Sequence, residues 1–193
     1  MKDVIIVSSF RSGTRRVQGA FGQAKIAAAW ESDQRLTISA FMAADVDIYA
    51  GKHKPWWDRH VDEVWHQTRS PLHCIAAMAD VTPHGIWSWQ YPITGLHPRK
   101  YRTRREFCSK FWVRWNGLCE ERNPVWRYRV EDFEKVWPEM WKRLDLGEAP
   151  EIDPRSTELD GSAKREPMTW EELRSYGSVY DDVKRLAERY GYE

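Results

Sequence analysis

The chain has 193 residues, 41% of them hydrophobic and 31% charged, with a formal net charge of +1. That length can bury one core, and the near-neutral balance gives no general field to draw the chain onto nucleic acid or an acidic membrane. No apolar run approaches the roughly 20 residues of a membrane-spanning helix, and the N-terminal run is too short for a signal-peptide core. Cys74, Cys108 and Cys119 are odd in number and lack C-x-x-C spacing, so free thiols in a reducing cytoplasm are expected, with neither a disulfide frame nor a zinc site. The twelve tryptophans fit core and rim positions better than sugar stacking.

Val4 to Val7 is a continuous apolar run rich in β-branched residues, the pattern of a strand buried on both faces of a parallel sheet. Val17, Ala20 and Phe21 follow at helical spacing, so strand, Gly-containing loop and helix open an α/β unit. Lys25 to Glu31 is a weak second strand, and Asp33 to Trp57 carries no readable period. Val64 to Thr68 reads as a strand ending at Arg69. Ser70 then stands at an N-cap with Pro71 at the first helical place, before Leu72, Ile75, Ala76 and Ala79.

The spacing of Phe107, Phe111, Trp115 and Leu118 predicts a helix over Lys100–Glu121, led by the basic cluster "RKYRTRR", which reads as a solvated surface ahead of a docking patch. Val125 to Phe133 is a third strand candidate. A helix marked by Trp137, Trp141 and Leu144 follows, with Pro138 expected in its first turn. The polar stretch Gly147–Pro167 is expected to be a mobile surface excursion. Thr169 with Glu172 forms a capping box, and Val183, Leu186, Ala187 and Tyr190 stripe a last helix stopped by Gly191.

The chemistry concentrates in "SSFRSGTRR". A strand that delivers a Gly turn to a helix N-terminus points several backbone N–H groups at one spot, with the helix dipole behind them. Gly13 permits close backbone approach, and the Ser12 and Thr14 hydroxyls can add donors. The lysine of the loop G-x-x-x-x-G-K-[ST] is missing, because Thr14 follows Gly13 directly. Arg11, ahead of the turn, supplies a fixed positive charge instead.

"FRSGTRRV" resembles the 5′-phosphosulfate loop of sulfotransferases that use 3′-phosphoadenosine 5′-phosphosulfate (PAPS) as donor. "HQTRSPLHCIAAM" is similar to that family's strand–Arg-x-Pro–helix segment, "YRVEDFEKVWPEMWKRLDL" to its later Glu-Asp segment and helix, and "VKRLAERYGYE" to its C-terminal helix in bacterial-type members. The resemblance implies one sulfotransferase-like domain over residues 1–193. Its fold is a P-loop-like three-layer α/β arrangement, a central mostly parallel sheet flanked by helices.

At matching positions the resemblance also implies roles. Arg11 would stabilise charge on the oxygen bridging sulfonate and phosphate. Ser12, Gly13 and Thr14 would cradle the 5′-phosphosulfate, with Arg15 where a second Thr is common. Arg69, helped by Ser70, would pair with the 3′-phosphate, although Ala77 stands where many members have a serine. Lys164 and Arg165 match a nucleotide-covering loop poorly and read better as an exposed basic pair. Glu31 sits where some members place a general base; the plain reading is a surface glutamate ending a strand. His53, His60 and His66 are rival bases, with His66 better read as a packed histidine.

The implied reaction moves a sulfuryl group from PAPS to a hydroxyl or amine of a small-molecule or saccharide acceptor, leaving 3′,5′-adenosine bisphosphate and needing no metal. No nucleic-acid or membrane partner is expected. The alternatives are a P-loop nucleotide kinase or NTPase with a divergent loop, and a non-catalytic nucleotide-binding module of the same fold. Trp56, Trp57, Trp87 and Trp89 suit either an acceptor pocket or the core.

Overall fold

Five short extended segments pair side by side because none can satisfy its own backbone groups, and a buried N–H or C=O must find a partner. The computed structural model describes residues 1–30, 35–39, 43, 46–47, 52–53, 60–80, 93–153 and 166–193. In chain order the elements are β1 (Val4–Ser8), α1 (Thr14–Gln23), β2 (Ala28–Trp30), β3 (Leu36–Ser39), β4 (Val46–Asp47), β5 (Lys52–His53), β6 (Glu63–Thr68), α2 (Pro71–Asp80), α3 (Arg104–Glu121), β7 (Trp126–Arg129), α4 (Phe133–Arg143), α5 (Trp170–Arg174) and α6 (Ser178–Arg189). The central sheet runs β2-β3-β1-β6-β7, and every pairing in it is parallel. β4 and β5 form a separate antiparallel pair.

Side chains alternate across β1 and build two cores. Ile5 and Val7 pack with α2, α3 and α6 on one face, around Ile75, Phe111, Trp112, Trp115 and Val183. Val4 and Ile6 face the other way with Leu36, Ile38, Trp65 and Tyr128, covered by α1 and α4 through Phe21, Phe133, Trp137 and Met140. The result is a three-layer α/β fold around a parallel sheet, as its alternating strand and helix pattern predicts. Trp65, Trp112 and Trp115 are fully buried, so these tryptophans are core residues. No helix among the described residues is long and apolar enough to cross a membrane.

Several expected boundaries shift for local reasons. The helix expected from Lys100 starts at Arg104, because the Thr103 hydroxyl accepts from Glu106 N at 3.0 Å and the Glu106 carboxylate accepts from Arg102 N at 2.9 Å. Residues 98–100 form a 3₁₀ turn instead. In the basic cluster, Arg105 pairs with Glu172 at 2.6 Å and Arg102 donates to the Ser175 carbonyl, tying the cluster to α5. The third strand stops at Arg129, where a 3₁₀ turn over Val130–Asp132 takes over.

Pro138 does not begin α4 but lies inside it, since the helix already starts at Phe133. It costs α4 the hydrogen bond to the carbonyl four residues back, a loss the buried face of Phe133, Trp137 and Met140 outweighs. Within Asp33–Trp57, which showed no period, the described residues include β3 and the β4–β5 pair. Only four residues of β3 are buried between β1 and β2, too few for a period to emerge. The Thr169 cap and the stop at Gly191, in left-handed backbone at φ 77°, form as expected. Of the excursion Gly147–Pro167, residues 154–165 lie outside the described residues, Lys164 and Arg165 among them.

All three cysteines are free and buried. Burial pushes the Cys74 thiol up to about 11 and Cys108 to about 12, and raises Cys119 as well. The native chain is therefore expected to react with an aromatic disulfide reagent at pH 8 far more slowly than the denatured chain, which should release three thiols at once. A thiol titrating at the unfolded rate in the native state would contradict this packing.

Candidate functional site

β1 and β6 are neighbours, yet α1 covers the Val4/Ile6 face while α2 covers the Ile5/Val7 face. Strands that send their helices to opposite faces open a crevice beyond their carboxyl ends, where open α/β sheets bind ligands. The loop 9–13 lies there, with Arg69 and Ser70 beside it.

Four consecutive carbonyls of this loop are each taken by a side-chain donor. The Ser9 carbonyl accepts from Ser12 Oγ at 2.5 Å, that of Phe10 from Cys74 Sγ at 2.9 Å, that of Arg11 from Arg69 Nη1 at 2.8 Å, and that of Ser12 from Gln67 Nε2 at 2.7 Å. Every described peptide is trans. A trans peptide holds its C=O opposite to the following N–H, so the N–H groups of residues 10–13 turn away from these donors. Arg11 has φ 61° and Gly13 φ 86°, while Ser12 between them is not left-handed. Where right-handed and left-handed residues alternate, successive N–H groups curl into an anion-binding nest. The raised Cys74 thiol keeps its proton at neutral pH and so remains a donor.

The end of α1 that meets this loop carries no acid of its own. Gly13 is its N-cap with no side-chain cap bond. Thr14, Arg15 and Arg16 open the helix, and the dipole there favours an anion. Arg11 and Arg15 are exposed at this mouth. Arg16 turns inward, donates to the Val130 carbonyl at 3.0 Å, reaches Glu134 at 3.4 Å and lies over the Phe133 ring. The adjacent arginines thus divide, one outward and one a tie between α1 and α4.

Other sequence candidates are placed differently from a ligand-facing role. The Ser12 hydroxyl is buried and spent on the Ser9 carbonyl, so Ser12 shapes the loop. Arg69 is 3% exposed and holds the Arg11 carbonyl. The Ser70 N–H donates to Glu131 Oε1 at 2.8 Å, so an internal carboxylate occupies the N-terminus of α2. Glu131 also accepts from the Tyr192 hydroxyl at 2.9 Å. Beside Ser70 lies an open cleft of about 320 Å³ lined by Leu72, Arg129, Trp170 and Tyr192.

Among the rival bases, His66 is fully buried with Nδ1 2.9 Å from Glu120 and Nε2 3.1 Å from Asn116 Oδ1, so neither ring nitrogen is left for an acceptor. His60 is exposed and pairs with Asp62 at 2.8 Å. His53 lies in β5. Glu31, Trp56, Trp57, Trp87 and Trp89 lie outside the described residues.

The loop-holding residues Gln67, Cys74 and Tyr128 were not singled out from the sequence. One signal was there: His66, Gln67 and Thr68 are polar residues at the carboxyl end of a strand of a parallel sheet, the end where open α/β sheets bind ligands. No family model, no curated protein and no solved structure matches the chain.

Proposed function

We propose that the chain is a sulfotransferase that moves a sulfuryl group from PAPS to a hydroxyl or amine of a small-molecule or saccharide acceptor in a reducing cytoplasm. The observation that carries this reading is the loop 9–13, with four carbonyls held inward and the acid-free N-terminus of α1 behind it. Such a loop suits a multiply charged oxyanion. The missing loop lysine favours a phosphosulfate over a magnesium-bound triphosphate. The cleft of about 320 Å³ beside Ser70, with Trp170 and Tyr192 on its wall, is of a size for a purine nucleoside.

In this reading the acceptor oxygen or nitrogen attacks sulfur in line and forms the new bond to it. The bond from sulfur to the bridging oxygen breaks, its electron pair stays on the 5′-phosphate, and Arg11 stabilises the charge that grows there. The acceptor proton passes to a general base, the role proposed for Glu31. The products are the sulfated acceptor and 3′,5′-adenosine bisphosphate. A 3′-phosphate held at Ser70 has to compete with Glu131 for the same amide.

Calorimetry tests the reading. The bisphosphate is expected to bind without metal and more tightly than ATP. Binding of magnesium–ATP in preference to the bisphosphate would make the chain a nucleotide kinase or NTPase instead.

A further inference from the structure

We propose that Gln67, fixed by Tyr128, is a positioning residue that sets the Ser12–Gly13 peptide for anion binding. The inference rests on the anion-binding reading of the loop but not on the identity of the anion.

Ser8, Gln67 and Tyr128 are register partners across β1, β6 and β7, one row at the carboxyl end of the sheet. Gln67 is fully buried and Tyr128 nearly so. The Tyr128 hydroxyl donates to Gln67 Oε1 at 2.8 Å, and Gln67 Nε2 donates to the Ser12 carbonyl at 2.7 Å. The Ser12 carbonyl can only accept, so the NH₂ end of the amide has to face it, and the oxygen end is left to take the phenol's proton. Burial raises the Tyr128 phenol well above its ordinary value, so it stays protonated and keeps donating.

The peptide held in this way is the one entering α1. Its carbonyl belongs to Ser12 and its N–H to Gly13, the N-cap. Fixing the carbonyl inward turns the Gly13 N–H outward. Glycine lowers the barrier to other backbone states, so without a clamp this peptide can flip and present an oxygen to the anion. Ser9, Phe10 and Arg11 have clamps of their own from Ser12, Cys74 and Arg69; Gln67 alone among the described residues holds the Ser12 carbonyl. Glutamate at this position would set a carboxylate against that carbonyl, and leucine would leave it unpaired.

The test uses the full chain with two probes, 3′,5′-adenosine bisphosphate and inorganic pyrophosphate, read by calorimetry together with the Gly13 amide resonance and the melting temperature. Gln67→Leu is expected to weaken both anions by about tenfold or more, and Gln67→Glu further. Tyr128→Phe, which removes one hydroxyl and keeps the ring, should weaken them about threefold and shift the Gly13 amide in the free protein. If Gln67→Leu does not fold, Tyr128→Phe decides by the same readouts. Variants that melt lower yet bind both anions like the wild type overturn the inference and leave a purely structural role. Wild-type binding of pyrophosphate but not of the bisphosphate overturns the donor reading alone, and the variants still decide on Gln67. A wild-type chain that binds neither anion overturns both.

Discussion

Exchanging Arg11 for glycine is expected to cut the proposed sulfuryl transfer by about 10²-fold or more, as loss of a group that stabilises transition-state charge does, while the melting temperature stays close to that of the wild type. The two halves of this result have separate causes. Arg11 sits at φ 61°, a left-handed conformation that an L-residue with a side chain adopts at a cost of about 1–2 kcal/mol. Glycine relieves that strain and loses about 0.4–1 kcal/mol to the greater freedom of its unfolded chain. The backbone balance is near zero or slightly favourable. A strained non-glycine residue at a functional site is held there by its surroundings, and in the proposed reading the Arg11 guanidinium serves at the mouth of the loop. Transfer at the wild-type rate by Arg11→Gly would show that the charge is supplied elsewhere. A large fall in melting temperature would instead mean that the side chain supports the fold.

The second large effect lies away from the loop. Glu120→Ala is expected to destabilise the chain by about 1–3 kcal/mol, the cost of leaving a buried His66 ring nitrogen without its partner while losing bonds to more exposed arginines, and to lower the melting temperature by roughly 5 °C. The Glu120 side chain is 12% exposed and gathers donors from three other elements and the segment after α6. His66 reaches it from β6, Arg127 of β7 forks onto both oxygens at 2.6–3.2 Å, Arg189 of α6 donates at 2.9 Å, and the Tyr190 hydroxyl donates at 3.2 Å. Without the carboxylate, His66 Nδ1 loses its partner while Nε2 keeps Asn116, and the guanidinium groups of Arg127 and Arg189 are left to water. A melting shift of under 2 °C would rule out this hub as a main support.

The same hub predicts acid sensitivity. Burial alone would raise the Glu120 carboxyl, but the hydrogen bonds and charges of His66 and Arg127 outweigh it and hold the group well below its ordinary 4.5. Its proton affinity is then lower folded than unfolded. The stability it gives is fully present above about pH 4.5 and is lost as the pH falls toward the folded value. Melting between pH 7 and pH 3 should therefore fall more steeply in the wild type than in Glu120→Gln.

His66 shows where sequence patterning stops. A histidine inside a strand predicts a packed ring, which the structure bears out, but its partners Asn116 and Glu120 come from a helix some fifty residues away. No spacing rule links them. The same holds for the loop. Its strand, its glycine turn and its helix are legible because a four-residue apolar run, a left-handed glycine and an i, i+3, i+4 stripe are local signals. That Arg15 and Arg16 part ways, that Ser12 turns its hydroxyl inward, and that Glu131 meets the Ser70 amide depend on which helix packs on which face of the sheet.

The sequence by itself determined the layered α/β class, the β1–loop–α1 unit, the helix caps at Ser70–Pro71 and Thr169, and the charge of the loop mouth, because each depends on residues within a few positions of one another. Only the tertiary structure decided the order of the sheet, the extent of β3, the interior course of Pro138 within α4, and the direction in which the loop peptides face. Those are settled by long-range pairing. A parallel strand draws its partners across a helical crossover, and the carbonyls of Phe10, Arg11 and Ser12 are turned by Cys74, Arg69 and Gln67, more than fifty residues further along the chain.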